Sequence, residues 1–242
     1  MTDISAALFD VDGTLVDSTY LHTLAWAQAL AQFDRTVPMA RVHRAVGMGA
    51  DQLLDHLLGD ERDRDDDAEM AAAHDALYAR FWPGLRPLPG AVDLLGECAR
   101  RGWTVVLASS ASSRELKVLR RVLDCDEVIS AATGADDVAR SKPAPDLVEA
   151  ALQKAGADRG RSVFVGDAVW DVRAAARAGV PCVGVESGGF SGCELAAEGA
   201  SEVHRDAADL LDHLDSSLLG RSSPGGDVTA TPGGDVTATG PG

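Results

Sequence analysis

The sequence predicts an α/β fold, a doubly wound parallel sheet with an all-helical insert after its first strand. Three observations support this. Residues 4–9 form a mostly apolar run, as in a strand that is buried on both faces. Residues 19–81 show only helical periodicity, and from residue 91 onward helices alternate with short apolar strands. That alternation is typical of a parallel sheet that is covered by helices on both faces.

The insert is predicted to consist of helices alone. Apolar residues recur at helical spacing in four stretches, 19–33, 39–46, 51–58 and 68–81. Pro38 suits the first position of the second helix, and the glycines of the segment Gly47-Met48-Gly49 end it. The mostly acidic stretch 60–67 is predicted to be a solvated loop or a helix start.

The second half of the chain is predicted to complete the sheet. We predict strands at 103–108, 128–129, 162–165, 182–185 and 202–203. We predict helices at 91–101, 113–123, 146–155, 169–178, 193–197 and 207–214. The predicted domains are therefore 1–17 with 87–219 for the sheet and 18–86 for the insert. The remainder, 220–242, contains a polar octapeptide that occurs twice and is predicted to be disordered.

Composition excludes several classes of partner. The net charge of −16 argues against nucleic acid or an anionic membrane as the main partner. No apolar run approaches the ~20 residues of a membrane span, and no secretory leader pattern opens the chain. Four scattered cysteines, with no C-x-x-C pair, are predicted to be small buried hydrophobic residues in a reduced compartment: Cys98, Cys125, Cys182 and Cys193. We therefore expect a cytoplasmic protein, as a monomer or a small homo-oligomer.

Two aspartates follow the first strand. Asp10 and Asp12 are two residues apart, so in extended backbone their carboxylates point the same way. Two such charges beside a buried strand need a cation or a raised pKa to coexist. The alternative is an ordinary surface turn, in which aspartate and glycine are common.

Further polar residues follow other predicted strands. Ser109 follows the second strand, Lys142 lies on the connection after the third, and Asp167 and Asp171 follow the fourth. Ligands of open α/β sheets bind beyond the carboxyl ends of the strands, and this set of groups suits phosphoryl transfer. Each residue also has a structural alternative. Ser109 could cap a helix, in which case Ser110 could take its place in the site, and Lys142 could be a solvated side chain. Asp167 and Asp171 could simply be acids at a helix start, where acids are favoured.

These residues resemble the motifs of the haloacid dehalogenase-like phosphohydrolases. Residues 10–18, with the sequence DVDGTLVDS, resemble the first motif, and Ser109 matches the second. Lys142-Pro143 matches the third motif, and residues 166–171 match the fourth. The resemblance covers residues 4–214 and implies a Rossmann-like core with the helical insert as a cap.

The resemblance also implies roles. Asp10 would attack phosphorus and form an aspartyl-phosphate, and Asp12 would protonate the leaving oxygen and then activate water. Lys142 would neutralise the charge at Asp10, and Ser109 would donate to a phosphate oxygen.

A metal ion is implied as well. The side chains of Asp10 and Asp167 would hold Mg²⁺, with the backbone carbonyl of Asp12 as a further ligand and Asp171 in or near the second shell of the ion. The expected substrate is a small phosphorylated metabolite, similar to phosphoglycolate or a sugar phosphate.

Alternatives within the family remain open. The dehalogenase members lack an aspartate at the position of Asp12, so its presence favours phosphate chemistry. His22 and Trp26 are similar to residues of the β-phosphoglucomutase branch, although they could also simply pack at i, i+4. That branch has basic residues around the cap glycine, whereas residues 46–50 have none and Arg44 lies just before them. A phosphomutase and a non-catalytic binding protein are therefore the competing predictions, and Ser109, Ser110, His22 and Arg44 are the predicted substrate-binding residues.

Overall fold

A six-stranded parallel sheet forms the centre of the molecule. The computed structural model describes residues 4–60 and 62–221. The strands are β1 Ala6–Phe9, β2 Thr104–Ala108, β3 Ala131–Thr133, β4 Val163–Gly166, β5 Cys182–Val185 and β6 Glu202–His204. Their order, β3-β2-β1-β4-β5-β6, reverses direction at β1, as in a doubly wound sheet. The predicted fold class is confirmed.

Helices fill the connections. They are α1 Thr19–Ala31, α2 Met39–Ala45, α3 Ala50–Leu58, α4 Asp67–Tyr78, α5 Ala91–Arg100, α6 Ser113–Leu123, α7 Asp146–Ala155, α8 Val169–Ala178, α9 Gly192–Ala197, α10 Ala207–Asp212 and α11 Leu218–Arg221. The segment between β1 and α5 contains α1 to α4 and short 3-10 turns, with no strand among its described residues. The insert is therefore helical, as predicted.

The strand β1 lies between the two hydrophobic cores. Ala6 and Leu8 belong to one cluster and Ala7 and Phe9 to the other, and all four are fully buried. Alternate side chains of a strand point to opposite faces, so this four-residue strand contributes to both faces of the sheet. The cluster on the Leu8 side also contains residues of α1, α3 and α4, which joins the insert to the sheet.

The prediction for the third strand is wrong. Residues 128–129 form a turn, in which the amides of Val128 and Ile129 donate to the carbonyls of Cys125 and Asp126 at 3.1 and 3.3 Å. The strand begins at Ala131 instead, where Ala131 pairs with Val106. Two apolar residues are too few to define a period, so the pattern could not distinguish a turn from a strand.

Other boundaries differ by a few residues. The helix predicted to end at residue 81 ends at Tyr78 and continues as a 3-10 helix to Gly84. The helix α11 reaches Arg221, so residues 220 and 221 of the predicted tail are helical, and residues 222–242 lie outside the described part of the chain. Three cysteines are buried as predicted, but Cys193 is exposed. Within the described ranges, no helix is both long and apolar enough to cross a bilayer.

Candidate active site

The loop after β1 brings the strand end close to β4. The amide of Asp10 donates to the carbonyl of Val165 at 2.9 Å, which extends the ladder between the two strands by one residue. Gly13 follows with φ of 80°, and a Cβ at this position would lie 2.3 Å from Oγ1 of Thr19 and 2.6 Å from Oδ2 of Asp167. Only glycine fits both this backbone conformation and this space, so the loop can pass directly over Asp167.

A fully buried lysine contacts the first aspartate. The Nζ atom of Lys142 donates to Oδ1 of Asp10 at 2.5 Å and to Oδ1 of Asp171 at 2.8 Å. Burial opposes the charged ammonium, but the two carboxylates raise the pKa of Lys142 above its ordinary value. Burial raises the pKa of Asp10 to about 7, because the lysine only partly offsets the burial and the nearby carboxylates of Asp171 and Asp12.

Three buried carboxylates form a cluster that could hold a metal ion. Oxygens of Asp10, Asp167 and Asp171 lie within 4.8 Å of one another. Oγ1 of Thr14 donates to Asp167 at 2.7 Å, and the amide of Ala168 donates to Asp171 at 3.0 Å. Burial and the neighbouring acids raise the pKa of Asp167 well above its ordinary value. Such an all-oxygen, electron-rich cluster fits a hard divalent cation, which would relieve the repulsion among the carboxylates.

The second aspartate has different partners. Its Oδ1 accepts from Oγ of Ser18 at 2.6 Å and lies 3.2 Å from Nε2 of His22, and its Oδ2 accepts from Oγ of Ser109 at 3.3 Å. Burial would raise the pKa of Asp12, but the hydrogen bonds and charge of His22 outweigh it and lower the pKa. Asp12 is therefore stabilised as a carboxylate, while Asp10 is not.

A second imidazole continues this network away from Asp12. Nδ1 of His22 lies 3.1 Å from Nε2 of His74, and Nδ1 of His74 lies 3.0 Å from Oδ1 of Asp75. Nε2 of His22 also lies 3.3 Å from Oε1 of Glu115. Sequence reasoning missed His74, Asp75 and Glu115, because no short motif joins them and only the packing of α4 and α6 brings them to His22.

The two histidines differ in charge. Burial disfavours the charged form of His22, but Asp12 and Glu115 raise its pKa to about 10. Burial lowers the pKa of His74 to about 4. The arrangement consistent with both is a charged His22 that donates from both nitrogens, and a neutral His74 that accepts at Nε2 and donates from Nδ1 to Asp75.

A cavity of about 160 Å³ lies between the insert and the sheet. Asp10 and Asp12 line it together with apolar residues of the insert, which include Trp26, Met48 and Ala71. The indole of Trp26 stacks on the ring of His74, with ring centroids 4.2 Å apart. The two predicted catalytic carboxylates therefore share one enclosed space with residues of α1 and α4.

Comparison with known proteins agrees with this geometry. Residues 4–179 match the model of a family described as haloacid dehalogenase-like hydrolase. The chain belongs to this family. It is 36% identical to a phosphoglycolate phosphatase of Rhodospirillum rubrum, over 92% of this chain and 93% of that protein. The predicted resemblance and the prediction of a hydrolase are confirmed.

Two solved structures have the same fold. A hydrolase from Pseudomonas syringae is 35% identical and superposes with a TM-score of 0.83, over 88% of this chain and 98% of that chain. A putative β-phosphoglucomutase from Bacteroides vulgatus has a TM-score of 0.82 at 22% identity, over 91% of this chain and 90% of that one. At that identity, the second likeness concerns the fold alone.

The two predicted serines, Ser109 and Ser110, both lie close to the site but differ in burial and in hydrogen-bond partners. Ser109 is fully buried, where its hydroxyl donates to Asp12 and accepts from the amide of Ala111 at 3.0 Å. Ser110 lines the cavity, and its hydroxyl donates to the carbonyl of Gly47 in the insert at 3.2 Å. Ser110 therefore faces the cavity directly, whereas Ser109 lies behind the cavity wall and contacts the site through Asp12.

Arg44 does not lie where the sequence predicted it. Its guanidinium pairs with Glu194, and its Cζ atom lies 3.6 Å from the ring centroid of Phe190. It is not among the described residues that line the cavity. The structure thus places Arg44 at a contact between α2 and α9 and does not bring it to the aspartates.

The segment between α2 and α3 fastens the insert to the sheet. The amide of Gly49 donates to Oγ of Ser141 at 3.0 Å, and that hydroxyl in turn donates to Asp51. A Cβ on Gly49 would lie only 2.6 Å from Cβ of Ser141, so the close approach requires glycine. Ring nitrogen Nε2 of His43 lies 2.9 Å from the carbonyl of Gly188. These contacts join the insert to the sheet domain close to Lys142.

Proposed function

We propose that the protein is a Mg²⁺-dependent phosphatase that hydrolyses a small phosphorylated metabolite through an aspartyl-phosphate on Asp10. The observation that supports this most strongly is the contact of 2.5 Å between the buried Lys142 and Asp10, because Asp10 lines the cavity together with Asp12. A buried carboxylate beside a fixed cation, with a second carboxylate of different pKa nearby, is suited to nucleophilic attack followed by general acid–base catalysis.

In this proposal Asp10 attacks the phosphorus atom, and the bond from phosphorus to the leaving oxygen breaks. The ammonium of Lys142 stabilises the negative charge that Asp10 and the phosphoryl oxygens share. Asp10 and Asp167 would hold Mg²⁺, with Asp171 beside them and the Asp12 carbonyl as a further ligand, and the ion would screen the charge of the phosphoryl group. Ser109 and Ser110 offer hydroxyls near the site.

Asp12 would transfer the protons. In its protonated form it donates a proton to the leaving oxygen, and as a carboxylate it takes a proton from the water that attacks the aspartyl-phosphate. His22 and Ser18 favour the carboxylate form, whereas a bound phosphate dianion nearby favours the protonated form. The opposed influences let one residue serve both half-reactions.

The cavity supports a small substrate. Its volume is about 160 Å³. Engineered protein cavities of about 150 Å³ bind one molecule of benzene, so a leaving group of two or three carbons fits here. Phosphoglycolate-like molecules and small sugar phosphates are the candidates, in agreement with the name of the R. rubrum relative. A phosphomutase must hold a second phosphate, but no lysine or arginine lines the cavity among the described residues, so we favour hydrolysis.

The insert would act as a cap. We infer that residues 18–86 form a unit separate from 1–17 and 87–219, and that this unit excludes water when it closes. The hydrogen bonds of Gly49, Asp51 and His43 to the sheet domain support a closed arrangement in this structure.

Hydrolysis of p-nitrophenyl phosphate tests the proposal. We expect Mg²⁺-dependent release of p-nitrophenol, loss of at least about 10³-fold in kcat in Asp10→Asn, and a protein-bound phosphate that hydroxylamine removes. The control is Asp60→Asn, which alters a side chain that is 97% exposed. Full activity in Asp10→Asn, or no activity of the wild type on a broad panel of phosphomonoesters, would contradict the proposal.

A further inference from the structure

A second cluster of metal-ligating side chains lies at the edge of the sheet, apart from the proposed active site. His204 ends β6, Asp209 lies in α10, and His213 directly follows that helix. Each of the three residues offers one ligand atom, and these atoms lie within 4.8 Å of one another. We propose that this cluster binds a divalent transition-metal ion, with Zn²⁺ as the expected species, and that the ion joins the edge strand to the helix that follows it.

The spacing of the side chains suits a coordination shell better than direct hydrogen bonds. Nδ1 of His204 lies 3.5 Å from Oδ2 of Asp209, which is longer than an ordinary hydrogen bond between nitrogen and oxygen. Two ligand atoms at their usual bond lengths from one tetrahedral zinc ion lie about 3.4 Å apart. The pair can therefore share one ion almost as it stands. The side chain of His213 is 60% exposed, so the third side of the shell is also the side by which an ion enters from solvent.

The surroundings of the two imidazoles prepare them as ligands. Nδ1 of His213 lies 2.8 Å from the backbone carbonyl oxygen of Asp209, one turn earlier. A carbonyl oxygen can only accept, so Nδ1 carries the proton, and Nε2 of the neutral ring keeps its lone pair for a metal ion. Histidine ligands usually donate their other ring N–H to a carbonyl or carboxylate in this way. Nε2 of His204 lies 3.6 Å from Oε1 of Glu202, so a carboxylate faces the second nitrogen of that ring as well.

The carboxylate of Asp209 is held in place by the residue that follows β6. The guanidinium of Arg205 donates to Oδ1 at 2.8 and 3.2 Å, and the amide of Arg205 donates to Oδ2 at 3.2 Å. Ligating carboxylates are commonly hydrogen-bonded in this manner, which orients them toward the ion. A carboxylate oxygen accepts more than one partner, so Oδ2, which faces His204, can bind a metal ion while it keeps the amide of Arg205.

The type and the position of these donors separate this site from the carboxylates around Asp10. Two imidazoles and one carboxylate suit Zn²⁺ and its neighbours in the transition series, whereas Mg²⁺ prefers oxygen ligands. The strand β6 is three strands away from β1 in the sheet, which is about 14 Å at a strand spacing of ~4.8 Å. The inference therefore does not rest on the proposed phosphatase activity and is tested independently of it.

Calorimetric titration with Zn²⁺ in the presence of excess Mg²⁺ tests the site. We expect His204→Ala and His213→Ala each to bind Zn²⁺ at this site at least about tenfold more weakly than the wild type. The second variant changes a largely exposed side chain, so it keeps the fold even if the first does not. His56→Ala, which removes an exposed histidine of α3, is the control and should match the wild type. Zn²⁺ that binds at the carboxylates of the cavity is common to all four proteins and cancels in the comparison.

Thermal unfolding gives a second measurement. An ion that binds the folded chain and not the unfolded one raises the Tm, so Zn²⁺ should raise the Tm of the wild type and of His56→Ala more than that of His213→Ala. Equal Zn²⁺ affinity in the wild type and both cluster variants would overturn the inference, as would a loss of the same size in His56→Ala. A wild-type Kd in the millimolar range at this site would show only weak chelation by surface histidines and would overturn it too.

Discussion

A single buried ammonium compensates two of the carboxylates of the site. Lys142 is fully buried, and its Nζ atom contacts both Asp10 and Asp171. Removal of one partner of a buried ion pair leaves an uncompensated charge, which is more destabilising than the pair is stabilising. The residue therefore stabilises the fold as well as the proposed chemistry.

Replacement of this lysine tests both roles. We expect Lys142→Met to lower the free energy of unfolding by about 3–5 kcal/mol and to abolish phosphatase activity, because Asp10 and Asp171 lose their cation. Urea denaturation followed by circular dichroism measures the first effect. Lys154→Met is the control, since Lys154 is partly exposed and pairs with Asp137 at the surface, where a pair contributes only about 0–1 kcal/mol. Equal stability losses in the two variants would contradict the assignment.

The neutral histidine should make stability depend on pH. Burial lowers the pKa of His74 to about 4 from 6.5, so between these values the unfolded chain binds more protons than the folded one. Its contribution to stability is present above pH 6.5 and is lost as the pH falls to 4, by up to ~3 kcal/mol. His74 is surrounded by His22, Asp75, Trp26 and Tyr78.

We therefore compare His74→Phe, which keeps an aromatic ring that cannot be protonated, with the wild type. As the pH falls from 6.5 to 4, the free energy of unfolding of this variant should decrease less than that of the wild type. Urea titrations of both proteins across this range give the difference. A constant difference at every pH would show that His74 is not held neutral by its burial.

At the level of single residues, sequence could find the aspartates and Lys142 but not their neighbours. Asp10, Asp12, Lys142 and Asp167 follow strands, and the ends of parallel strands meet at one edge. Glu115 follows no such rule. It lies in the first turn of α6, where an acid is common for helix-dipole reasons alone, and only the packing of α1 against α4 and α6 shows what it faces.

At the level of elements, a long helix was predicted at its observed position and the third strand was not. Helices such as α7 present several turns of periodic apolar residues, and the structure has it at Asp146–Ala155, as the pattern predicted. The strand β3 has three residues, with Ala131 and Ala132 only half-buried, so its sequence has no period to detect. It is positioned by its ladder to β2, which is a tertiary contact.

The hydrogen bonds between Asp51 of α3 and Ser141, in the loop before Lys142, yield a prediction at this scale. Asp51→Ala removes the acceptor for the Ser141 hydroxyl and amide, so we expect the insert to close less tightly and kcat/KM to fall by roughly fivefold, which corresponds to about 1 kcal/mol. Steady-state kinetics with p-nitrophenyl phosphate measures it. Glu69→Ala, at an exposed position on α4, is the control. Kinetics equal to wild type in Asp51→Ala would mean that these hydrogen bonds do not hold the closed state.

At the scale of the whole molecule, charge and topology act together. The net charge of −16 makes the chain as a whole repel anions. In addition, the fold brings the buried carboxylates of Asp10, Asp167 and Asp171 within 4.8 Å of one another. The sequence predicted both facts separately. It could not predict their consequence, which is that burial and the neighbouring carboxylates raise the pKa of Asp10 to about 7 and also raise the pKa of Asp167.

Metal binding should therefore be linked to proton release. The pKa of Asp10 is raised to about 7 and that of Asp167 is also raised, so near neutral pH the metal-free cluster holds a proton that a divalent cation must displace. We expect the affinity for Mg²⁺ to increase as the pH rises through 7, and binding at pH 6.5 to release about one proton. Calorimetry at pH 6.5 in two buffers of different ionisation enthalpy counts the protons. Asp167→Asn should bind Mg²⁺ more weakly and release fewer protons, whereas Asp60→Asn should match the wild type. An affinity that is independent of pH between 6 and 8 would show that the cluster is already fully ionised, and that Lys142 alone compensates its charge.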